Sequence, residues 1–213
     1  MTDVQKSEHA DIGKVLPVLV IEDASHANAL GDALVKGGLR AAEVTLRTAA
    51  GIDAIRTLAG RDDVIVGAGT VLTAEQAERS IEAGARFVVT PGFAPTVVRA
   101  CQEAGVPVFP GAATATEIQM AVDAGLDVVK FFPAQQLGGA AMIKALSAPF
   151  RGVRFIPTGG VTTALIPEYL ALPAVLAVGA TAVAPADLIA GERWVEITTR
   201  AEQAVAAASG GAA

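Results

Sequence analysis

Short apolar runs rich in β-branched residues alternate along the chain with longer, alanine-rich segments of helical pattern. Near-continuous apolarity over a few residues is typical of parallel strands, which are buried on both faces. Most of these runs are followed closely by glycine, proline or threonine, which marks the end of a strand. Eight strands are predicted in this way: Val15–Ile21, Ala42–Leu46, Val64–Ala68, Phe87–Val89, Val106–Phe109, Val128–Phe131, Val153–Pro157 and Val175–Val178.

Helical segments lie between the predicted strands, and several carry end signals. Ser25 is expected to cap the first helix, Thr73 begins a segment that resembles a capping box, and Pro95 stands in the first turn of a third helix. Several of these segments are followed by glycine, which is common just after a helix. The predicted helices are Ser25–Lys36, Thr73–Ala83, Pro95–Ala104, Thr114–Asp123 and Thr162–Leu170.

This alternation predicts an α/β fold, specifically a (β/α)8 TIM barrel, because strand–helix–strand units with right-handed crossovers close on themselves when eight are present. Residues that are polar, glycine or proline mark the strand ends at intervals of 20 to 28 positions, each about one β/α unit. They are Glu43, Thr70, Thr90, Pro110, Lys130, Thr158 and Gly179. A doubly wound open sheet is the competing architecture, but eight units in a short chain without an obvious edge strand favour the barrel.

Length and composition agree with one compact domain. The 213 residues are 52% hydrophobic and 18% charged, which is typical of a globular enzyme. We therefore predict a single barrel domain over 1–213, with an N-terminal extension or helix at 1–14. The alanine- and glycine-rich tail at 206–213 is expected to fray.

Charge and hydropathy argue against two classes of partner. The net charge of −6 argues against nucleic acid, which requires a basic face. No apolar run is long enough to cross a bilayer, so no membrane partner is expected. The polar start of the chain lacks a basic segment followed by an apolar one, so we expect a cytoplasmic location. The expected partner is a small molecule.

The sequence offers few ligands for a metal ion or a redox cofactor. Cys101 is the only cysteine and lies in a helical pattern, which indicates a buried, unreactive thiol and no intrachain disulfide. His9 and His26 both precede the second strand, and no HExxH pattern is present. The Gly67–Gly69 segment lacks the third glycine of a dinucleotide fingerprint. We therefore predict no metal site and no cofactor.

Lys130 is the sharpest chemical signal because it interrupts an otherwise apolar strand. Burying a lone ammonium is costly, which favours the neutral amine, the nucleophile that Schiff-base chemistry needs. Active sites of such barrels lie at the carboxyl ends of the strands, where this lysine is predicted. The alternative is a lysine that extends past the strand end to solvent.

Three further strand-end residues suit the same chemistry. Glu43 lies in another apolar strand, and a carboxylate there can shuttle the protons that imine formation and cleavage require. Arg47 follows that strand and has the planar fork that binds a carboxylate. Thr70 supplies a hydroxyl after the third strand. The alternatives are a structural ion pair between Glu43 and Arg47, and an ordinary surface arginine.

The last two units carry a possible anion site. Barrels often bind phosphate through the backbone N–H groups of the loops after strands seven and eight. Here those loops are the small-residue segments Pro157–Val161 and Val178–Thr181. The alternative is a pair of tight turns that bind nothing.

Five segments in this order and spacing closely resemble the bacterial 2-keto-3-deoxy-6-phosphogluconate aldolases, a family that also cleaves 4-hydroxy-2-oxoglutarate. The resemblance extends from about Val15 to about Arg200. The segments are Glu43–Thr48 (EVTLRT), Gly67–Leu72 (GAGTVL), Thr90–Gly92 (TPG), Lys130–Ala134 (KFFPA) and Pro157–Val161 (PTGGV).

This resemblance implies a metal-independent, cofactor-free class I aldolase that forms pyruvate and assembles as a homotrimer. Lys130 would form the imine with the 2-keto carbon, and Glu43 would be the general acid and base. Arg47 and Thr70 would hold the carboxylate of the 2-keto acid, and Pro91 and Phe132 would wall the pocket. The residues implied to hold the distal phosphate are Gly159, Gly160, Gly179, Ala180 and Thr181.

Two departures from the family pattern lie on the phosphate side. Gly179–Ala182 reads GATA where the family usually has Gly-Gly-Ser-Trp, and Leu165 stands where an asparagine is usual. These departures keep an aldolase for a non-phosphorylated 2-keto-4-hydroxy acid open as an alternative. The remaining alternatives are a phosphate-binding barrel isomerase, which would not need Lys130, and a non-catalytic trimeric scaffold.

Overall fold

The computed structural model describes residues 11–210, which form an α/β fold with a curled parallel sheet. Its strands are β1 Val15–Leu19, β2 Ala41–Thr45, β3 Ile65–Gly69, β4 Val88–Val89, β5 Val108–Phe109, β6 Gly111–Ala112, β7 Val128–Phe131, β8 Arg154–Pro157 and β9 Val178–Ala180. Each of the eight predicted strands overlaps one of them. Two predicted strands differ most from the structure. The last one, Val175–Val178, ends where β9 begins, and the fifth corresponds to β5 and is followed closely by a second short strand, β6.

Pro110 explains the division of the fifth unit into β5 and β6. Proline has no N–H group to donate to a neighbouring strand, so the ladder is interrupted at this position. Its carbonyl still accepts a hydrogen bond from the N–H of Lys130, at 2.8 Å. The strand path therefore continues past the interruption and brings Gly111 opposite Lys130.

The strands pair in parallel as one sheet of order β5-β4-β3-β2-β1-β9 and a second of order β6-β7-β8. Isolated parallel bridges from Phe155 to Val175 and from Thr158 to Gly179 connect β8 to the β9 segment. Because the strands are parallel, their carboxyl ends meet at one side of the curled sheet. The predicted α/β class with a parallel sheet is confirmed.

Helices cover the outside of the sheet. They are α1 Ala27–Lys36, α2 Gly51–Ala59, α3 Ala74–Glu82, α4 Pro95–Glu103, α5 Ala115–Asp123, α6 Gly139–Ser147, α7 Ile166–Leu170, α8 Ala186–Ala190 and α9 Trp194–Gly210, with short 3-10 helices at Ala24–His26 and Thr163–Leu165. The five predicted helices are present within a few residues, the first and last of them each beginning as a 3-10 turn. Within the described residues, no helix combines the length and apolarity that spanning a bilayer requires.

Some of the predicted helix ends are wrong. Asp23 rather than Ser25 caps the first helical segment, because its carboxylate accepts the N–H of Ser25 at 2.8 Å. The expected capping box at Thr73 is half formed, since the Gln76 side chain binds the N–H of Leu72 instead. At the C-terminus, α9 continues through Gly210, so residues 206–210 are helical, while the fraying of the tail stays a prediction.

The two ends of the predicted domain extend past the described residues. Within the expected N-terminal extension, 11–14 contains no helix, and 1–10 lies outside the described residues together with 211–213.

The sheet is buried on both faces, as its apolar strands predict. A large apolar cluster packs the outer face of the sheet against the helices. A smaller cluster, which includes Leu16, Phe87, Phe109 and Ile156, fills the space inside the curl. Gly67 makes room for the ring of Phe87, which a side chain at position 67 would overlap. Burial of each large apolar side chain contributes about 1.5–3 kcal/mol, so this packing fixes where the strand ends lie.

Candidate active site

The strand register places Lys130 and Glu43 together inside the curled sheet. Lys130 lies on β7 and Glu43 on β2, and Nζ of the lysine is 3.1 Å from Oε1 of the glutamate. Their side chains are 6% and 1% exposed. The predicted alternative of an ion pair between Glu43 and Arg47 is wrong, because Glu43 pairs with Lys130.

A buried ion pair is poor evidence for stability, because removing two charges from water offsets most of their attraction. The contact is also short enough for proton transfer between the two side chains. At 3.1 Å, a proton on the lysine can pass to the Glu43 carboxylate, which leaves a neutral amine next to a carboxylic acid.

The β3 end is shaped around the Glu43 carboxylate. A Cβ atom at position 69 would overlap the carboxylate, so only glycine fits beside it. The next residue, Thr70, has a φ of 56°, which is rare for a β-branched side chain. Backbone strain of this kind persists where the surrounding structure enforces it and is frequent at functional sites. Thr70 is half-buried at the side of the sheet that Glu43 and Lys130 occupy.

The loop after β4 is hydrogen-bonded to β6, the strand that pairs with the Lys130 strand. The Thr90 hydroxyl donates to the carbonyl of Gly92 at 2.6 Å and accepts the N–H of Gly111 at 3.3 Å. A Cβ atom at position 111 would overlap the backbone of Pro91, so the loop lies directly on Gly111. Since Gly111 is the register partner of Lys130, the packing of Pro91 on Gly111 places it close to the lysine.

Phe132 also lies close to the lysine. Its ring centroid is 5.4 Å from Lys130 Nζ, within the range of a cation–π contact, and the ring is 37% exposed. A Cβ atom at position 159 would lie 3.2 Å from the ring, so the loop after β8 packs against it. Phe132 therefore separates the lysine from that loop and can wall a small pocket.

The loops after β8 and β9 are adjacent. Thr158 and Gly179 pair across them, and a side chain at position 179 would overlap the Thr158 hydroxyl. Gly159 and Gly160 have φ values of 99° and 72°, so both adopt the left-handed region that favours glycine. Ala180 is buried, whereas Thr181 is exposed at the loop. The five residues predicted for the distal phosphate thus lie in two adjacent segments of small residues, named the cradle below.

Gln135 supports this cradle, and the sequence analysis missed it. Its backbone N–H donates to the carbonyl of Gly159 at 3.1 Å, and its side chain donates to the hydroxyl of Tyr169 at 2.9 Å. Burial raises the pKa of the Tyr169 phenol, and Glu168 raises it further, while the Gln135 hydrogen bond lowers it. Nothing in the sequence pattern distinguishes Gln135 from Gln136, because the contact depends on the turn that follows β7.

Arg47 is not in contact with the Lys130–Glu43 pair. It lies in the loop after β2, where its side chain is exposed. The neighbouring Thr48 anchors that loop, since its hydroxyl donates to the carbonyl of Ile21 at 2.5 Å. Arg47 thus follows the carboxyl end of β2.

The potential metal ligands of the described chain do not come together. Over 11–210, no group of three or more histidine, cysteine, aspartate and glutamate side chains is arranged to hold an ion. His26 contacts the ring of Trp194, with centroids 5.8 Å apart, and His9 lies outside the described residues. Cys101 is buried as expected, and burial raises the pKa of its thiol to about 11.

Comparison with known proteins identifies the family. A family model described as "Aldolase: KDPG and KHG aldolase", where KDPG is 2-keto-3-deoxy-6-phosphogluconate and KHG is 4-hydroxy-2-oxoglutarate, matches residues 7–200. A 2-dehydro-3-deoxy-phosphogluconate aldolase of Treponema pallidum is 48% identical over 89% of this chain and 91% of its own length. The KHG/KDPG aldolase of Escherichia coli K12 is 43% identical over 91% of each chain.

A solved structure agrees with these sequence relatives. The KDPG aldolase of Legionella pneumophila, captured with pyruvate as a covalent carbinolamine intermediate, superposes with a TM-score of 0.86 at 38% identity. The match covers 90% of this chain and 93% of that one. The chain belongs to the KDPG and KHG aldolase family.

Proposed function

We propose that this protein is a class I aldolase that cleaves 2-keto-3-deoxy-6-phosphogluconate to pyruvate and glyceraldehyde 3-phosphate. We propose that it also cleaves 4-hydroxy-2-oxoglutarate to pyruvate and glyoxylate. The observation that carries the proposal is the buried contact between Lys130 and Glu43, at 3.1 Å, in a chain of this family. A Schiff base supplies the electron sink that the cleavage needs, so the reaction requires no metal ion.

Lys130 acts as the nucleophile. Its neutral amine attacks C2 of the 2-keto acid and gives a carbinolamine, which loses water to form a protonated imine. When the C3–C4 bond breaks, its electron pair moves toward the imine nitrogen and produces an enamine. The aldehyde leaves, C3 takes up a proton, and hydrolysis of the imine releases pyruvate and restores the lysine.

Glu43 moves the protons. It accepts one from the C4 hydroxyl as the C3–C4 bond breaks, directly or through a water molecule, and it returns one to C3 of the enamine. It also protonates the carbinolamine hydroxyl so that water can leave. The carboxylate is suited to these steps because it lies next to the reacting nitrogen in a water-poor site, where Gly69 leaves the space that it occupies.

The pyruvyl part of the substrate is held by four residues around the lysine. Arg47 and the Thr70 hydroxyl bind the carboxylate, and Arg47 swings inward from its exposed position to do so. Pro91 and Phe132 form the walls of the small pocket. Two contacts support this role, since Pro91 packs on Gly111, the register partner of Lys130, and the Phe132 ring lies 5.4 Å from Lys130 Nζ.

The far end of the substrate lies in the cradle formed by Gly159, Gly160, Gly179, Ala180 and Thr181. Backbone N–H groups of such loops bind a phosphate well, since small residues allow close approach. Thr181 supplies a hydroxyl to this cradle, and the neighbouring Ala182 has only a small side chain.

Three broader properties belong to the same proposal. We propose that the two parallel sheets form one (β/α)8 barrel, supported by the bridges between β8 and the β9 segment. We also propose a homotrimer, which the family resemblance implies, and a cytoplasmic location. Light scattering of the purified protein measures the mass of the assembly. A mass of two chains rather than three would contradict the homotrimer.

Trapping with borohydride tests the proposed chemistry. The protein is incubated with pyruvate and sodium borohydride, and the intact mass and peptide map are measured. We expect one reduced pyruvyl adduct on Lys130, and none with Lys130→Met as the matched control. The absence of an adduct in the folded wild-type protein overturns the Schiff-base mechanism, and an adduct on another lysine overturns the assignment of Lys130.

A further inference from the structure

We propose that Arg200 is a positioning residue for the loop after β9 and thereby sets the preference for a phosphorylated substrate; this rests on the function proposed above. Arg200 lies on α9, outside the sheet. One nitrogen of its guanidinium, Nη1, donates to the carbonyl of Ala182 at 3.1 Å. Ala182 directly follows Thr181, the last residue of the proposed cradle.

A second set of contacts fixes the guanidinium itself. Its Nε and Nη2 atoms donate to Oε1 of Glu196, one helical turn earlier, at 3.2 and 2.9 Å. The Arg200 and Glu196 side chains are 38% and 34% exposed. All three nitrogens of the Arg200 guanidinium therefore donate hydrogen bonds. As a result, the nitrogen that donates to Ala182 cannot rotate freely.

The charge distribution gives this contact its significance. From position 155 to position 192 the chain contains no lysine or arginine, so neither phosphate-side loop carries a cation of its own. Arg200 is the arginine that the structure places in hydrogen-bond contact with the β9 loop. It brings a positive charge to a loop that otherwise offers only backbone and hydroxyl groups.

The geometry indicates how Arg200 acts. A peptide carbonyl carries partial negative charge, so a carbonyl that turned toward the cradle would repel a bound phosphate. Donation from Arg200 holds the Ala182 carbonyl toward α9 and fixes the orientation of that peptide. A groove of about 480 Å³ between α9 and the loops, lined by Thr162, Thr163 and Ala182, leaves room for this peptide to turn when the contact is lost.

The residue just before α9, Arg193, offers a matched control. Arg193 also pairs with Glu196, through Nη2 and Oε2 at 2.8 Å, but its side chain has no contact with the loop. Arg193→Met and Arg200→Met therefore each remove one arginine from the same carboxylate. Only Arg200→Met also releases the Ala182 carbonyl.

The experiment compares kcat and KM of both variants and the wild type for 2-keto-3-deoxy-6-phosphogluconate and for 4-hydroxy-2-oxoglutarate. We expect Arg200→Met to lower kcat/KM about tenfold for the phosphorylated substrate, chiefly through KM, and to leave the other substrate unchanged. Arg193→Met should behave as wild type. An equal loss on both substrates, no loss, or the same selective loss in Arg193→Met overturns the proposal.

A second variant covers the case in which Arg200→Met does not fold. Arg200→Lys keeps the charge but lacks the planar guanidinium that donates to both Ala182 and Glu196. A smaller loss of kcat/KM, restricted to the phosphorylated substrate, is therefore expected. An unchanged substrate ratio in that variant overturns the proposal. A wild-type protein that cleaves neither substrate and forms no pyruvyl adduct overturns the proposed function, and the role of Arg200 with it.

Discussion

Gly69 leaves the space that the carboxylate of Glu43 occupies. A Cβ atom at position 69 would overlap Oε1 of Glu43, the same oxygen that contacts Lys130. Gly69 does not have a positive φ, so its backbone is one that alanine adopts readily. The glycine is therefore required by the neighbouring acid rather than by the conformation of the chain.

Gly69→Ala should consequently impair catalysis more than folding. The added methyl group displaces the Glu43 carboxylate from its position next to Lys130, and a displacement of about 1 Å can cost about 10²-fold in rate. We expect kcat to fall by this order while circular dichroism stays unchanged. Gly152→Ala is the control, because a side chain there meets open space and the residue has no positive φ. Similar rates for the two variants would contradict the steric argument.

Much of the fold could be predicted because each strand is a short apolar run, which reveals burial on both faces without any knowledge of the partners. The strand-end rule likewise predicted Lys130 and Glu43, since a charge inside such a run is visible in the sequence. Prediction did not extend to contacts set by tertiary packing. Gly69 resembles any glycine in a strand until Glu43 is placed against it.

Helices with weak end signals were also beyond the sequence analysis. The helices α2, α6, α8 and α9 have no counterpart among the five predicted helices. Gly139 begins α6 after a left-handed Gly138, a pair that in the sequence indicates a loop. The contact between Arg200 and Ala182 could not be predicted either, because it joins an unpredicted helix to a loop 18 residues away.

Glu43→Gln should slow turnover by roughly 10²–10⁴-fold, because the amide keeps the size of the side chain but cannot accept and return a proton. Formation of the pyruvyl adduct should persist at a reduced rate, since Lys130 remains. Steady-state cleavage and borohydride trapping measure the two effects separately. Glu75→Gln, an exposed glutamate in the first turn of α3, is the control and should be fully active. Full activity of Glu43→Gln would show that another group moves the protons.

Arg47→Ala should chiefly raise KM for the keto acid, because the exposed guanidinium has no contact with the Lys130–Glu43 pair and acts through the substrate carboxylate. Initial-rate measurements over a range of substrate concentrations separate KM from kcat. Arg86→Ala is a suitable control, as Arg86 is also exposed but precedes β4, at the opposite end of the strands. An unchanged KM in Arg47→Ala would remove this arginine from the site.

Cys101 should make stability depend on pH in the alkaline range. Burial raises the pKa of its thiol from 9.0 to about 11, so between these values the folded protein retains a proton that the unfolded chain has released. Stability from this group is therefore fully present below pH 9 and is lost as pH rises toward 11. Urea unfolding should show a shallower decline over this range in Cys101→Ala than in the wild type. Parallel curves would mean that the thiol titrates alike in both states.

The Lys130–Glu43 pair should show strong coupling in unfolding measurements. Lys130→Met leaves a buried carboxylate without its cation, which is expected to cost about 3–5 kcal/mol of the free energy of unfolding. Adding Glu43→Gln removes that charge, so the double variant should recover most of the loss, because replacing both members of a buried pair is often close to neutral. Urea unfolding of the wild type, both single variants and the double variant gives the coupling energy. If the two losses simply add in the double variant, the side chains do not interact in the folded protein. The close contact seen in the structure would then give no support to the chemistry assigned to the pair.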